Sequence, residues 1–152
     1  MNIIQCMKRN VVSISETSTI REAATVFAKA HVGPLPVVDR ENRPVGTVGL
    51  HDLLALELPD FVSFVADVDF VHHFGAVEVT HSSGTVLDQP ITTLMKPPVM
   101  VDEETGLLRA DTLLLQHKLH DIPVLSDDGQ LVGIASTVGI GITILSARAK
   151  VR

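Results

Sequence analysis

The sequence predicts an α+β protein built from one strand–helix–strand–strand–helix unit written twice, with a helical insertion between the copies. Three observations predict it. The chain aligns with itself, each copy alternates strand-like and helical apolar spacing, and each copy carries a hairpin marked by turn residues.

The self-alignment is direct. Ile20-Arg21-Glu22-Ala23-Ala24-Thr25-Val26-Phe27 matches Leu107-Leu108-Arg109-Ala110-Asp111-Thr112-Leu113-Leu114. Leu35-Pro36-Val37-Val38 matches Ile122-Pro123-Val124-Leu125, and Pro44-Val45-Gly46-Thr47-Val48-Gly49 matches Leu131-Val132-Gly133-Ile134-Ala135-Ser136. The register holds from Ser15 and Asp102 onward, and before that point a one-residue slip aligns Met7 with Met95. The copies take in residues 1–58 and 91–152, which leaves 59–90 as the insertion.

Each copy opens on a short β-branched run: Val11, Val12, Ile14 in the first, Val99, Met100, Val101 in the second. A helix follows, with apolar residues at helical spacing: Ile20, Ala23, Ala24 and Phe27, then Leu107, Leu108, Leu114 and Leu115. Ser18 or Thr19 suits the first N-cap, with Glu22 completing a capping box, and Thr105 suits the second. In the first hairpin, Leu35–Asp39 turns through Arg40-Glu41-Asn42-Arg43 into 44–50. In the second, Ile122–Leu125 turns through Asp127-Asp128-Gly129 into Leu131–Ser136, and Asp-Gly is a strong hairpin signal. The near-continuous apolar strands predict sheets covered on both faces. A last helix starts near His51 in one copy and near Thr137 in the other, with Ser136 as an N-cap candidate.

Within the insertion, Phe61, Phe64, Val65, Val68, Val71 and Phe74 follow a helical spacing. This stripe either packs on the protein's own surface or forms a dimer or partner contact. His81-Ser82-Ser83-Gly84 reads as a loop, and 85–95 includes a further short helix.

Composition narrows the function classes. The 152 residues are 45% hydrophobic with no Trp or Tyr, so the core is aliphatic. A net charge of −6 without a basic stripe argues against nucleic acid. Cys6 stands alone, so there is no internal disulfide, and it reads as a small buried or half-buried hydrophobe. The uncharged run Leu131–Ala147 holds several Gly, Ser and Thr and is short for a membrane span, so a buried strand and a buried helix explain it better. No signal peptide is visible, and a cytoplasmic protein is expected. His117 and His120 with Asp121 make only a partial ligand set, so no metal is expected. No phosphate loop with its lysine and no nucleophile elbow occurs, which argues against an enzyme.

The duplicated order, carried by Leu35-Pro36-Val37-Val38-Asp39, by Arg43-Pro44 through Asp52-Leu53-Leu54, and by Ile122-Pro123-Val124-Leu125 with Asp128 through Ser136, resembles the CBS family in its tandem form, the Bateman module. That resemblance implies two repeats about a pseudo-twofold axis, two clefts between them that often take AMP, ADP, ATP or S-adenosylmethionine, and a homodimer. It also implies an output through the dimer or a protein partner regulated in trans, with no cofactor required. The family's ligand motif is Gly, two apolar residues, Ser or Thr, two variable residues, then Asp. The Asp accepts ribose hydroxyls, and the Ser or Thr helps to hold phosphate.

Here the motif is split. Gly46-Thr47-Val48-Gly49-Leu50-His51-Asp52 keeps the acid and lacks the hydroxyl, whereas Gly133-Ile134-Ala135-Ser136-Thr137-Val138-Gly139 keeps the hydroxyl and lacks the acid. The expected site is the first cleft, with Asp52 on the ribose, Val12, Ile14 and Pro36 lining the adenine slot, and His51 near the phosphate. Met100, Pro123, Ser136 and Thr137 are expected to line the matching space. A plainer reading stands beside this one: Asp52 caps the last helix, both clefts are degenerate, and the protein serves only to dimerise or dock.

Overall fold

The structure, a computed structural model, describes residues 1–30, 32–56 and 84–150. The first repeat contains β1 (Ile14–Ser15), α1 (Ile20–Ala30), β2 (Leu35–Val38), β3 (Pro44–Val48) and α2 (Leu50–Leu54). After α3 (Gly84–Leu87), the second contains β4 (Val101–Asp102), α4 (Leu107–His117), β5 (Asp121–Leu125), β6 (Leu131–Ser136) and α5 (Thr137–Ala149). The α+β class and the repeated strand–helix–strand–strand–helix order are as the sequence predicts. The Phe-rich stripe and positions 81–83 of the expected loop lie outside the described residues, Gly84 opens α3 where a loop was expected, and the short helix expected over 85–95 is present as α3 and a 3₁₀ turn at Ile91–Thr93.

Each repeat forms a three-stranded sheet, in order β1-β2-β3 and β4-β5-β6. The first strand of each is parallel to the second, and the hairpin is antiparallel, with Leu35 opposite Val48 and Asp121 opposite Ser136. Residues Leu35–Val38 are buried without interruption, as their unbroken apolar run requires. The Asp-Gly turn closes with Gly129 at φ 78°, and the first hairpin uses Asn42 at φ 61°, two residue types that tolerate the left-handed region. The Asp39 carboxylate accepts the N–H groups of Glu41 and Arg43 at 2.9 Å, which pins that turn.

Thr19 caps α1 by accepting the Glu22 N–H at 3.2 Å. The expected Thr105 cap does not form. Gly106 takes the N-cap position of α4, and the Thr105 hydroxyl closes the preceding turn instead, accepting the Asp102 N–H at 3.2 Å and donating to Asp102 Oδ1 at 3.0 Å. Of the four leucines expected inside α4, Leu107 and Leu114 are buried, while Leu108 and Leu115 are 70% and 71% exposed. The helix touches its core along a narrower stripe than its apolar content suggests.

The two repeats exchange their opening segments. Ile3 donates its N–H to the Thr105 carbonyl, and Lys8 pairs in both directions with Ile134 of β6, at 2.8 and 2.9 Å. The equivalent segment of the second repeat does the converse: Ile91 donates to Ser18, and Lys96 pairs in both directions with Thr47 of β3, at 2.9 Å each way. Ile3 is therefore buried in the core of Val101, Leu107, Leu114 and Ile122, and Ile91 in the core of Ile14, Ile20, Leu35 and Val37. Each contact has its mate in the other repeat, so the pseudo-twofold relation is written in individual hydrogen bonds. The first hairpin also reaches across, with Leu131 N–H donating to Asn42 O at 2.8 Å and Asn42 Nδ2 to Leu131 O at 3.0 Å.

Candidate functional site

Two clefts lie between the repeats. One, of about 250 Å³, is lined by Thr47, Gly49 and Asp52 from the first repeat and by Lys96, Val99 and Pro123, among others, from the second. The other, of about 310 Å³, is lined by Ile134, Ser136 and Gly139 from the second repeat and by Lys8, Asn10 and Val12 from the first. Pro34 and Asp121, which occupy equivalent positions in the two repeats, line both.

Asp52 sits in the first turn of α2. Its Oδ2 accepts the Gly49 N–H at 2.8 Å, and its Oδ1 pairs with Lys96 Nζ at 3.2 Å. The capping role is thus real. It does not exhaust the group, since a carboxylate offers about four acceptor positions. The Lys96 side chain is 70% exposed against 19% for Asp52, so this pair contributes about 0–1 kcal/mol and is easily exchanged. On the other side, Ser136 caps α5 by accepting the Gly139 N–H at 3.0 Å, as expected, and its hydroxyl hydrogen is left to donate.

The structure distributes the expected site residues differently from the sequence reading. Asp52 shares its cleft with Pro123, and Ser136 shares its cleft with Val12. The crossing segments explain the exchange: Val12 lies on the chain between Lys8, which is bound to β6, and Ile14, which is bound to β2. Ile14 and Pro36 are buried inside the first repeat and line neither cleft. His51 is exposed on α2, Met100 is half-buried, and neither lines a cleft. Thr137 donates its N–H to the His120 carbonyl at 2.9 Å and is used structurally.

Sequence reasoning placed none of Lys8, Lys96 and Asp121 at a cleft, and took Asp121 only as part of an incomplete metal-ligand set. The repeated Met-Lys pair, Met7-Lys8 and Met95-Lys96, is the signal that finds the lysines. It also explains the motif glycines. A Cβ on Gly46 would lie 2.6 Å from Met95 Sδ, and one on Gly133 would lie 2.8 Å from Met7 Sδ. These glycines admit the crossing methionine, whatever the ligand. Cys6 is half-buried, as expected, and burial pushes its thiol up, so it is a poor nucleophile. His117 ends α4 and faces the Asp52 cleft, while His120 lies beyond a left-handed Lys118, and no group of three metal-binding side chains forms among the described residues.

Comparison with known proteins places this geometry in context. The CBS domain family model matches residues 3–58 and 91–138. The chloroplastic CBS domain-containing protein CBSX1 of Arabidopsis thaliana is 32% identical over 136 residues, 84% of this chain and 56% of its own length. The chain thus spans little more than half of that relative. Among solved structures, CBSX2 in complex with AMP superposes with a TM-score of 0.67 at 26% identity, covering 95% of both chains. A CBS domain protein from Pyrobaculum aerophilum complexed with AMP gives 0.66 at 27% identity, covering 91% of this chain and 89% of its own. No helix among the described residues is long and apolar enough to cross a membrane.

Proposed function

The chain belongs to the CBS domain family, and from that premise we propose that it is a non-catalytic regulatory module that binds an adenosine-containing ligand between its repeats. AMP, ADP, ATP and S-adenosylmethionine are the candidates. The observation that carries this reading is Asp52, anchored by Gly49 at the head of α2 and facing a cleft walled by both repeats, with Lys96 beside it for an anion. Val99 and Pro123 supply the apolar wall for a base. The AMP complexes of two similar proteins support the ligand class.

Output follows from the same geometry. A ligand held by both repeats changes their relative arrangement only if it binds one arrangement better than another. The change then passes to a second copy or to a protein partner in trans. A homodimer is favoured by an apolar stripe on α5, where Val138, Ile142 and Leu145 are 60–69% exposed at helical spacing, with Leu108 and Leu115 exposed on α4. The sequence reading expected a buried helix here. It buries Ile140 and leaves the opposite face apolar and open. The rival reading, an interaction module without ligand, is favoured by the missing hydroxyl at Gly49 and by the capping role of Asp52.

Thermal unfolding with AMP, ADP, ATP, S-adenosylmethionine and adenosine, and with GTP as control, separates the two. At about 100 times its dissociation constant a ligand adds roughly 2.7 kcal/mol, a rise of several degrees for a chain of this size. Asp52→Ala lowers the baseline by about 1 kcal/mol through the lost cap, so the ligand-induced shift is the quantity to compare. A shift with one adenosine ligand that shrinks in Asp52→Ala supports the sensor. No shift at millimolar concentration with any of them sinks it.

A further inference from the structure

The repeats mirror each other in their crossing segments but not at their hairpin turns. Both turns need a residue in the left-handed region, and the equivalent positions hold Asn42 at φ 61° and Gly129 at φ 78°. Glycine meets that need and nothing more. Asparagine adds an amide, and the structure uses it: Asn42 Nδ2 donates to Leu131 O at 3.0 Å, while the Leu131 N–H donates to Asn42 O at 2.8 Å. Gln130 Nε2 joins them, donating to Glu41 O at 3.1 Å. The pseudo-twofold relation would repeat the central pair between Gly129 and Pro44. It cannot, because Pro44 has no N–H and Gly129 has no side chain. The clasp between the turns is therefore one-sided.

The clasp sits at one end of the two edge strands and the clefts at the other. Pro44 opens β3 and Leu131 opens β6. The cleft residues Thr47, Gly49 and Asp52 lie toward and beyond the end of β3, and Ile134, Ser136 and Gly139 toward and beyond the end of β6. From Leu131 to Ser136 the strand runs for ~17 Å at about 3.3 Å per residue. A tilt of roughly 5° about the clasp moves the cleft end by about 1.5 Å, enough to make or break a hydrogen bond. Between the two ends stand the Lys8–Ile134 and Lys96–Thr47 bridges, on segments that have no helix or strand over 10–13 or 97–100. Such segments can follow a tilt, whereas turns joined by three hydrogen bonds within a few residues stay together.

We propose that this clasp is the pivot of the module: the repeats rock about the hairpin end, and the rocking opens and closes the clefts at the far ends of β3 and β6. Asn42 is the positioning residue of that pivot. The ligand of the reading above drives the rocking, and to that extent the proposal rests on it.

Amide hydrogen exchange of the isotope-labelled full chain, read by NMR, tests this with AMP as the probe. Five amides each donate across the boundary: Leu131 at the clasp, and Lys8, Ile134, Thr47 and Lys96 at the bridges. In wild type Leu131 is expected to exchange most slowly of the five. AMP is expected to slow the four bridges and leave Leu131 unchanged. Asn42→Gly keeps the left-handed turn and removes the amide, and Asn42→Asp keeps the turn but sets a carboxylate against the Leu131 carbonyl. Each variant is expected to speed Leu131 exchange roughly twofold to tenfold, the range for one neutral hydrogen bond. The four bridges, none of which bonds to Asn42, are expected to speed up by a similar factor. The slowest amides inside the sheets report global unfolding, and every factor is read relative to them. Faster exchange confined to Leu131 is the mark of a local turn residue and overturns the proposal. An AMP effect as large at Leu131 as at the bridges overturns it too and leaves the sensor standing. AMP that changes none of the five sinks the sensor reading, and the two variants then decide the pivot without ligand.

Discussion

Replacing Ile3 by Ala tests the exchange of opening segments. Ile3 lies far in sequence from the second repeat, yet its side chain is fully buried against Val101, Leu107, Leu114 and Ile122. Truncating a fully buried Ile to Ala removes transfer free energy and leaves a cavity, at about 2–5 kcal/mol. For a chain of this length each kcal/mol lowers Tm by roughly 2–4 °C, so a fall of roughly 5–15 °C is expected. Its neighbour Ile4 is 43% exposed, and Ile4→Ala is expected to stay within about 0.5 kcal/mol of wild type. Ile91→Ala, the mate of Ile3 in the other core, should match Ile3→Ala in size. Urea unfolding followed by far-ultraviolet circular dichroism reads all three, which suits a chain with no Trp or Tyr. If Ile3→Ala costs no more than Ile4→Ala, the opening segment is not part of the second core, and the account of how the clefts are walled falls with it.

Two further outcomes follow from exposure and charge. Ile142→Glu places a charge in the middle of the exposed α5 stripe; on the proposed homodimer, light scattering is expected to give a dimer mass for wild type and a monomer mass for the variant with an unchanged circular dichroism spectrum, and a wild-type monomer or a variant dimer excludes this face as the contact. Burial raises the Asp121 carboxyl above its ordinary value of 3.8, against the opposing pull of His120 and Lys8. An acid whose pKa is higher folded than unfolded loses stability as pH climbs from the unfolded value through the folded one, and the penalty is complete above it. Asp121→Asn should therefore raise Tm at pH 7, with the gain vanishing below pH 3.8; a lower Tm at pH 7 would show that the carboxylate stabilises the unliganded fold.

The repeat, the hairpins and the first helix cap were legible because they are local. Period, turn residues and capping residues lie within a dozen positions of one another. The crossing of the opening segments was not, because an apolar residue such as Ile3 declares that it is buried and not against which sheet. That single ambiguity propagated into the site. Once Lys8 pairs with Ile134, Val12 is carried to the Ser136 cleft, and by the same symmetry Lys96, paired with Thr47, carries Val99 to the Asp52 cleft. The place of Asp121 between the repeats was hidden for a related reason. Its neighbours in sequence are histidines, which suggested metal ligation, whereas its partner across the ladder is Ser136, fifteen positions away in a chain direction that only pairing reveals.

The clefts differ in how they would gain free energy from the same ligand. In the Asp52 cleft, Lys96 already neutralises the carboxylate, so a phosphate that recruits Lys96 breaks one exposed ion pair to make another. Such an exchange is close to neutral, because each exposed pair contributes about 0–1 kcal/mol. On the proposed reading, discrimination there would rest on the base against Val99 and Pro123 and on the hydroxyls at Asp52, with phosphate number contributing little. In the Ser136 cleft, burial holds the Asp121 carboxyl above its ordinary range against the pull of His120 and Lys8, so the unliganded fold carries a penalty at neutral pH that Asp121→Asn removes.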